Sequence, residues 1–278
     1  MRQMTVAEIQ KVNLDILCHI KDFCEEHNIK FHLAYGTLLG AVRHHGFIPW
    51  DDDADIGMLR PDYDRFIREY KDSGKYKLCA PERRNSFLNY ARLCEMKDTY
   101  FKQKYYWTFE SVGVGVDILP IDNVPEPIDK FLKYAAEIVG IRDRLIAWRK
   151  SAYGLQTFRR DAVGFCKDTL HFLARKLRRL VIRFVVPVLL AKDRKLRTLY
   201  HSGTSKHCSH ILGHRYPRKF WERCWLDEVR LVDFEHAQLP IPIGAHELLS
   251  AEYGDYMTIP PASERTVHSD WQTMWWRN

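Results

Sequence analysis

Phe31-His32-Leu33-Ala34-Tyr35-Gly36-Thr37-Leu38-Leu39-Gly40-Ala41-Val42-Arg43-His44-His45-Gly46, followed by Phe47-Ile48-Pro49-Trp50-Asp51-Asp52-Asp53-Ala54-Asp55-Ile56-Gly57-Met58, is the segment from which the architecture is read. Residues 31–35 read as a strand, Gly36-Thr37 as a sharp turn, and Leu38 to His44 as a short helix that Gly46 ends. Pro49 blocks any continuation of that helix. Asp53 to Met58 then alternates polar with apolar or small residues, which suits a strand with one face on a core and the other on a cleft. Side chains two apart share a strand face, so this reading points Asp53 and Asp55 together while Ala54 and Ile56 face the core.

Upstream, Thr5-Val6-Ala7-Glu8 fits a capping box, and Ile9, Val12, Ile16, Ile20 and Phe23 recur at helical spacing to about Cys24. Downstream, Arg60-Pro61 opens a helix with Tyr63, Phe66, Ile67 and Tyr70 on one face. A further strand is expected at Val112 to Leu119, ended by Pro120, with Gly113 and Gly115 blurring its start. Pro127 to about Trp148 is helical in pattern, as is Phe165 to Leu199, which is strongly basic and interrupted at Pro187. From His201 onward the chain is richer in aromatics and proline, with a short strand expected at Val229 to Phe234 and a helix near Ala245 to Tyr253. The expected organisation is a catalytic core at 1–125, an inserted helical basic lobe at 126–200, and a C-terminal part at 201–278 that completes the site.

At 278 residues and 46% hydrophobic content, the chain can bury a full core. Seven cysteines, odd in number and without a C-x-x-C pair, read as reduced thiols of an intracellular protein rather than a disulfide scaffold. Met4 to Ile20 already carries Glu8, Gln10, Lys11 and Asp15, which is not the layout of a signal peptide, so a cytoplasmic location is expected. A net charge of +7, from 43 Lys and Arg against 36 Asp and Glu, favours anionic partners. No recognised nucleic-acid-binding motif accompanies it, so nucleic acid is not expected among them.

Asp117, between Val116 and Ile118 on the expected second strand, joins Asp53 and Asp55 if the two strands are neighbours in one sheet. Three crowded carboxylates repel one another unless cations neutralise them, and hard oxygen ligands favour Mg²⁺ or Mn²⁺. Such an ion bridges phosphate oxygens and helps deprotonate an attacking hydroxyl. The Gly36-Thr37 turn offers close backbone approach, exposed N–H groups and a hydroxyl, as a phosphate at a helix start requires. An isolated acidic cluster is usually only a solvated turn, and Asp51 and Asp52 are read here as loop or supporting groups. Asp53 and Asp55 gain weight from the preceding Gly-Thr turn, the alternation and the third carboxylate. Asp51, Asp53 and Asp55 have the spacing of an EF-hand start, but Ile56 stands where glycine is needed and Asp62 where glutamate is needed.

The run Tyr35 to Ile56 resembles the signature of the LicD family of phosphocholine transferases, which also includes fukutin-related proteins. Val116-Asp117-Ile118-Leu119-Pro120-Ile121-Asp122 looks like the family's second acidic motif. Tyr253-Gly254-Asp255-Tyr256-Met257, with Pro260-Pro261, Arg265 and His268, looks like its C-terminal motif. The resemblance runs from about residue 30 to 268, with no recognised motif at roughly 126–200. It implies an α/β (α+β) fold of nucleotidyltransferase type, a mixed sheet flanked by helices. It also implies transfer of phosphocholine from CDP-choline to a hydroxyl of a cell-envelope glycan, with release of CMP. Transfer of another phospho-substituent or a nucleotidyl group, and a non-catalytic glycan- or nucleotide-binding role, are the alternatives. Gly36-Thr37 matches the fold's glycine turn, Asp53 and Asp55 its paired carboxylates, and Asp117 its third.

Arg43 and Arg265 lie within these motifs and are candidates for holding donor phosphates, ahead of Arg92 and Lys97. His268 is a candidate base or phosphate donor, and equally a structural hydrogen-bonding residue. Choline, a quaternary ammonium, requires aromatic faces, for which Trp50, Trp107, Tyr35 and Tyr256 are candidates. His201, His207, Cys208, His210 and His214 superficially resemble a zinc site, but their spacing fits no standard framework. Leu180 to Ala191 is shorter than the roughly 20 apolar residues a bilayer crossing needs. With basic flanks on both sides it either lies on anionic membrane, as a lipid-linked acceptor would suit, or is a buried helix with solvated ends.

Overall fold

A computed structural model of the chain describes all residues except 84, 87–89, 104–111, 125, 130–131, 134, 138, 142–169, 171–172, 175–176, 178–183, 185–187, 189–190, 193–204, 211–219, 266–271 and 278. Helix α1 (Val6–Glu26) begins at the expected capping box: the Glu8 N–H donates to Thr5 Oγ1, and the Thr5 N–H donates to the Glu8 carboxylate at 2.9 Å. Its buried stripe, which includes Ile9, Val12, Ile16, Leu17 and Ile20, packs on the central sheet.

That sheet contains β1 (His32–Leu33), β2 (Asp55–Leu59), β3 (Tyr76–Cys79), β4 (Ala91–Glu95) and a long β6 (Gly115–Val124) in the order β1-β2-β6-β4-β3. Only β2 and β6 run parallel; the other pairs are antiparallel. On one side β6 pairs with β2. On the other it pairs first with β4 and then, from Asp122, with β7 (His207–Ser209), which carries β8 (Trp221–Glu222) outside it. The α/β class expected from the resemblance is what the chain adopts.

Two boundaries depart from expectation. Pro120 sits inside β6 as the partner of Met58. The Asp117 N–H donates to Ala54 O at 2.9 Å, so odd-numbered β6 residues bond toward β2 and the proline ring faces the opposite edge. There β4 has ended at Ala91 and β7 has not begun, so the missing N–H leaves no ladder bond broken. Gly36 and Thr37 lie within the first turn of α2 (Tyr35–His44) rather than in a turn before it. Tyr35 makes the change of direction itself, at φ 45. His45, at φ 55, closes the same helix.

Helix α3 (Arg60–Glu69) starts as expected and buries Tyr63, Phe66 and Ile67. Its first residue pairs with Asp122 near the far end of β6. The strand at Val229–Phe234 (β9) is present, and it forms a hairpin with β10 (Ala237–Pro242) that is not evident from the sequence pattern. Helix α4 (Ala245–Tyr253) has the expected bounds. Strand β5 (Thr99–Gln103) pairs with the distant β11 (Gln272–Trp276). Among the described residues, no helix is long and apolar enough to cross a membrane, and six cysteines are free thiols.

Candidate active site

Asp55 and Asp117 are register partners on β2 and β6, and Asp117 is also the partner of Arg92 on β4. Register partners project from the same face, so three strands present two carboxylates and one guanidinium side by side. The opposite face carries Ile56, Ile118, Leu93 and Ala91, all fully buried. This is the in-and-out alternation read from the sequence, with one correction. Asp53 precedes the strand rather than lying on it, although its half-burial continues the alternation.

Burial, then Asp53, Asp117 and Asp51, hold the Asp55 carboxyl well above the ordinary carboxylate range, with Arg92 opposing. Asp117 is buffered differently. Its Oδ1 lies 3.3 Å from Arg92 Nε, and Tyr90 makes a hydrogen bond to it. Burial and the Asp117 charge raise the Tyr90 hydroxyl well above its ordinary value. Arg92 is itself buried, donates to Gly115 O at 3.1 Å and lies over the Phe101 ring. It is committed to the site's framework rather than to a phosphate.

Helix α2 is locked to this face. Thr37, buried, accepts the Asp55 N–H at 2.9 Å. A Cβ on Gly40 would lie 2.4 Å from Gly46 O, so backbone approach requires that glycine, while one on Gly36 would lie 2.7 Å from Asp51 Oδ2, the tip of a side chain that can shift. Gln10 on α1 donates to the carbonyls of Ile48 and Asp51, fixing the acidic loop from below.

The remaining candidates form a second group. Arg43 donates to Tyr256 O at 2.9 Å and Thr258 O at 3.3 Å, tying α2 to the segment after α4. Arg265 lies 4.3 Å from the Trp50 ring centroid, so the aromatic face considered for choline is covered by an arginine. Tyr256 is buried, with its hydroxyl 2.9 Å from His246 Nδ1. His268 and Trp107 lie outside the described residues. Tyr253 lies between the two groups: burial of its hydroxyl first, then Asp55, Glu252, Asp51 and Asp53, hold that hydroxyl above its ordinary value.

Beside the aspartates a narrow cavity opens along the same sheet face. Gly57 and Leu119, one step further along that face from Asp55 and Asp117, line it with Ile121; the rest of the wall is aliphatic, from Leu38, Leu226 and Leu248 among others, together with Tyr35, His32, His210, Trp221, Glu252 and Tyr253. The Trp221 indole N–H donates to Glu252 at 3.2 Å, and the Tyr35 hydroxyl lies 3.0 Å from His210 Nδ1. Trp221 and Glu252 carried no signal in the sequence, since they reach the site only through the pairing of β7 and β8 with β6 and through α4. Of the aromatic candidates among the described residues, Tyr35 lines the cavity and Trp50 and Tyr256 do not.

The acidic groups here are oxygen-only and crowded, with the Asp55 carboxyl held up by its neighbours in a way that positive charge would relieve. Among the described residues, no three His, Cys, Asp or Glu side chains are grouped so as to hold a metal ion as they stand. That covers His207, Cys208 and His210; His201 and His214 lie outside the described residues.

Residues 28–138 match the family model described as LicD/FKTN/FKRP, nucleotidyltransferase domain. The chain is 27% identical over 96% of its length to the lipopolysaccharide cholinephosphotransferase LicD of Haemophilus influenzae, 97% of which is covered. Uncharacterized proteins of Rickettsia typhi and Rickettsia prowazekii are 28% and 29% identical over 40% of this chain, covering 43% and 51% of their own lengths.

Proposed function

Because the chain belongs to the LicD family, we propose that it transfers phosphocholine from CDP-choline to a hydroxyl of a cell-envelope glycan and releases CMP. The observation that carries this reading is the in-register pair Asp55 and Asp117, followed two residues along both strands by Gly57 and Leu119, which line a cavity that Tyr35, Trp221, Tyr253 and Glu252 also line. A trimethylammonium group makes no ordinary hydrogen bond, and aromatic faces with one carboxylate are the chemistry that recognises it.

In the proposed reaction the acceptor oxygen forms a bond to the choline-bearing phosphorus while the bond from that phosphorus to the CMP oxygen breaks. The acceptor's proton passes to a carboxylate of the cluster. Mg²⁺ or Mn²⁺ held by Asp53, Asp55 and Asp117 would supply charge neutralisation and polarisation of the phosphoryl group. The chain's own contribution is position: Thr37 fixes the Asp55 backbone, Arg92 and Tyr90 fix Asp117, and Arg43 holds the segment after α4 against α2.

The test is to incubate the protein with CDP-choline, CDP-ethanolamine or CDP-glycerol, with Mg²⁺ or Mn²⁺ and with candidate glycans, following CMP and the mass of the product. Metal-dependent CMP release selective for CDP-choline, with a phosphocholine mass added to the glycan, is expected. CMP release from another CDP-alcohol alone, or none from any, would overturn the reading.

A further inference from the structure

The described residues between 170 and 192 are helical, and five carry large apolar side chains in the open: Leu170 is 69% exposed, Leu173 55%, Leu177 62%, Phe184 71% and Val188 67%. Their separations of 3, 4, 7 and 4 residues follow the α-helical repeat. Phe184 and Val188 belong to the stretch for which a buried helix was one expectation, and both are exposed. A bare apolar strip of this extent is rare on a soluble surface and marks a place where something docks.

Charge identifies the occupant. From residue 170 to 192 the sequence holds Arg175, Lys176, Arg178, Arg179, Arg183 and Lys192, and neither Asp nor Glu. Lys192 is paired with Glu137 at 2.5 Å. A second copy docking strip to strip would bring two stretches of this same basic sequence together. A lipid surface rich in anionic headgroups meets both features: acyl chains accept the apolar side chains, and headgroup phosphates accept the arginines and lysines.

We propose that the face formed by Leu170, Leu173, Leu177, Phe184 and Val188 seats this protein on an anionic bilayer surface. The inference stands independently of the donor chemistry.

Flotation of the full chain with phosphatidylglycerol-rich and with pure phosphatidylcholine vesicles, at low and physiological salt, tests it. Binding to the anionic vesicles alone is expected. The double variant Leu173→Glu, Phe184→Glu should weaken binding by at least about 10-fold, since buried methylenes dominate such anchoring, with CMP release from soluble donor unchanged. In Phe184→Trp, brominated lipids should quench fluorescence beyond the quenching of the unaltered chain. Wild-type protein that fails to float at low salt, a Glu variant that floats equally well, or a dimer in solution that the Glu variant dissociates, would each overturn the proposal.

Discussion

Arg60 and Asp122 form a bidentate ion pair, Nε to Oδ1 at 2.7 Å and Nη2 to Oδ2 at 2.8 Å, with both side chains 5% exposed or less. The pair joins the first residue of α3 to β6 just beyond Pro120, where β6 exchanges β4 for β7 as its neighbour. Removing one partner strips a buried charge of this bidentate counterion, and Asp64, 3.7 Å from Arg60, is itself half exposed. Arg60→Met or Asp122→Ala should therefore cost about 3–5 kcal/mol in urea unfolding, and the double variant should cost less than the sum. Additive losses would show that the two side chains stabilise the fold separately.

Asp55→Asn separates stability from activity. The folded carboxyl is held above its unfolded value, so its ionisation costs stability as pH rises from the ordinary carboxylate range toward that raised value. A neutral amide removes the cost. At pH 7 the variant should melt at a higher temperature than wild type, and the difference should vanish in acid, where both side chains are neutral. CMP release should fall on the order of 10²- to 10³-fold, the usual loss for a group that stabilises transition-state charge. An active variant would place Asp55 outside the chemistry, and one destabilised at pH 7 would mean that its carboxyl is not held above the ordinary range.

How much of this was legible depended on whether the signal was local. The Thr5 capping box, the Arg60-Pro61 helix start and the stripes of α1 and α3 are written within a turn or two of each residue, and they appear where the sequence places them. Asp55 and Asp117 were legible because alternation marks a strand face, although only the parallel register shows that they meet. Pro120 misled because a proline is harmless where, among the described residues, the other edge of the strand carries no ladder partner, a fact of topology. Arg92 carries the same letter whether it grips a phosphate or neutralises Asp117, and only burial distinguishes the two. Trp221 and Glu252 arrive from more than 100 residues beyond Asp117, through strand pairing and α4, without a motif to announce them.

Glu252→Gln tests whether the cavity beside the aspartates recognises a cation. The amide keeps an oxygen to accept the Trp221 N–H, so the wall should stay in place while the charge is lost. KM for CDP-choline should rise about 5- to 10-fold, in the range of a partly desolvated cation–aromatic site. KM for CDP-glycerol, which carries no cation, should not move. Equal effects on both donors would assign Glu252 to the fold rather than to the headgroup.

His32 gives the cavity a titration signature of its own. Its Nδ1 lies 2.8 Å from Leu33 O and so carries the proton, while Nε2 is buried without a hydrogen-bond partner against Gly57. Burial lowers its pKa to about 4, against the smaller opposing effect of the Leu33 carbonyl. Because the folded value lies below the unfolded 6.5, the unfolded chain binds the extra proton first. The stabilisation from the neutral imidazole is complete above pH 6.5 and is lost as pH falls toward 4, a change of about 3 kcal/mol. Asp55 works in the opposite direction, so the informative quantity is the difference between wild type and His32→Gln, measured by urea unfolding at a series of pH values. That difference should shrink by about 3 kcal/mol from pH 7 to pH 4. Curves that fall in parallel would mean that the His32 ring is protonated, or reaches water, inside the folded chain.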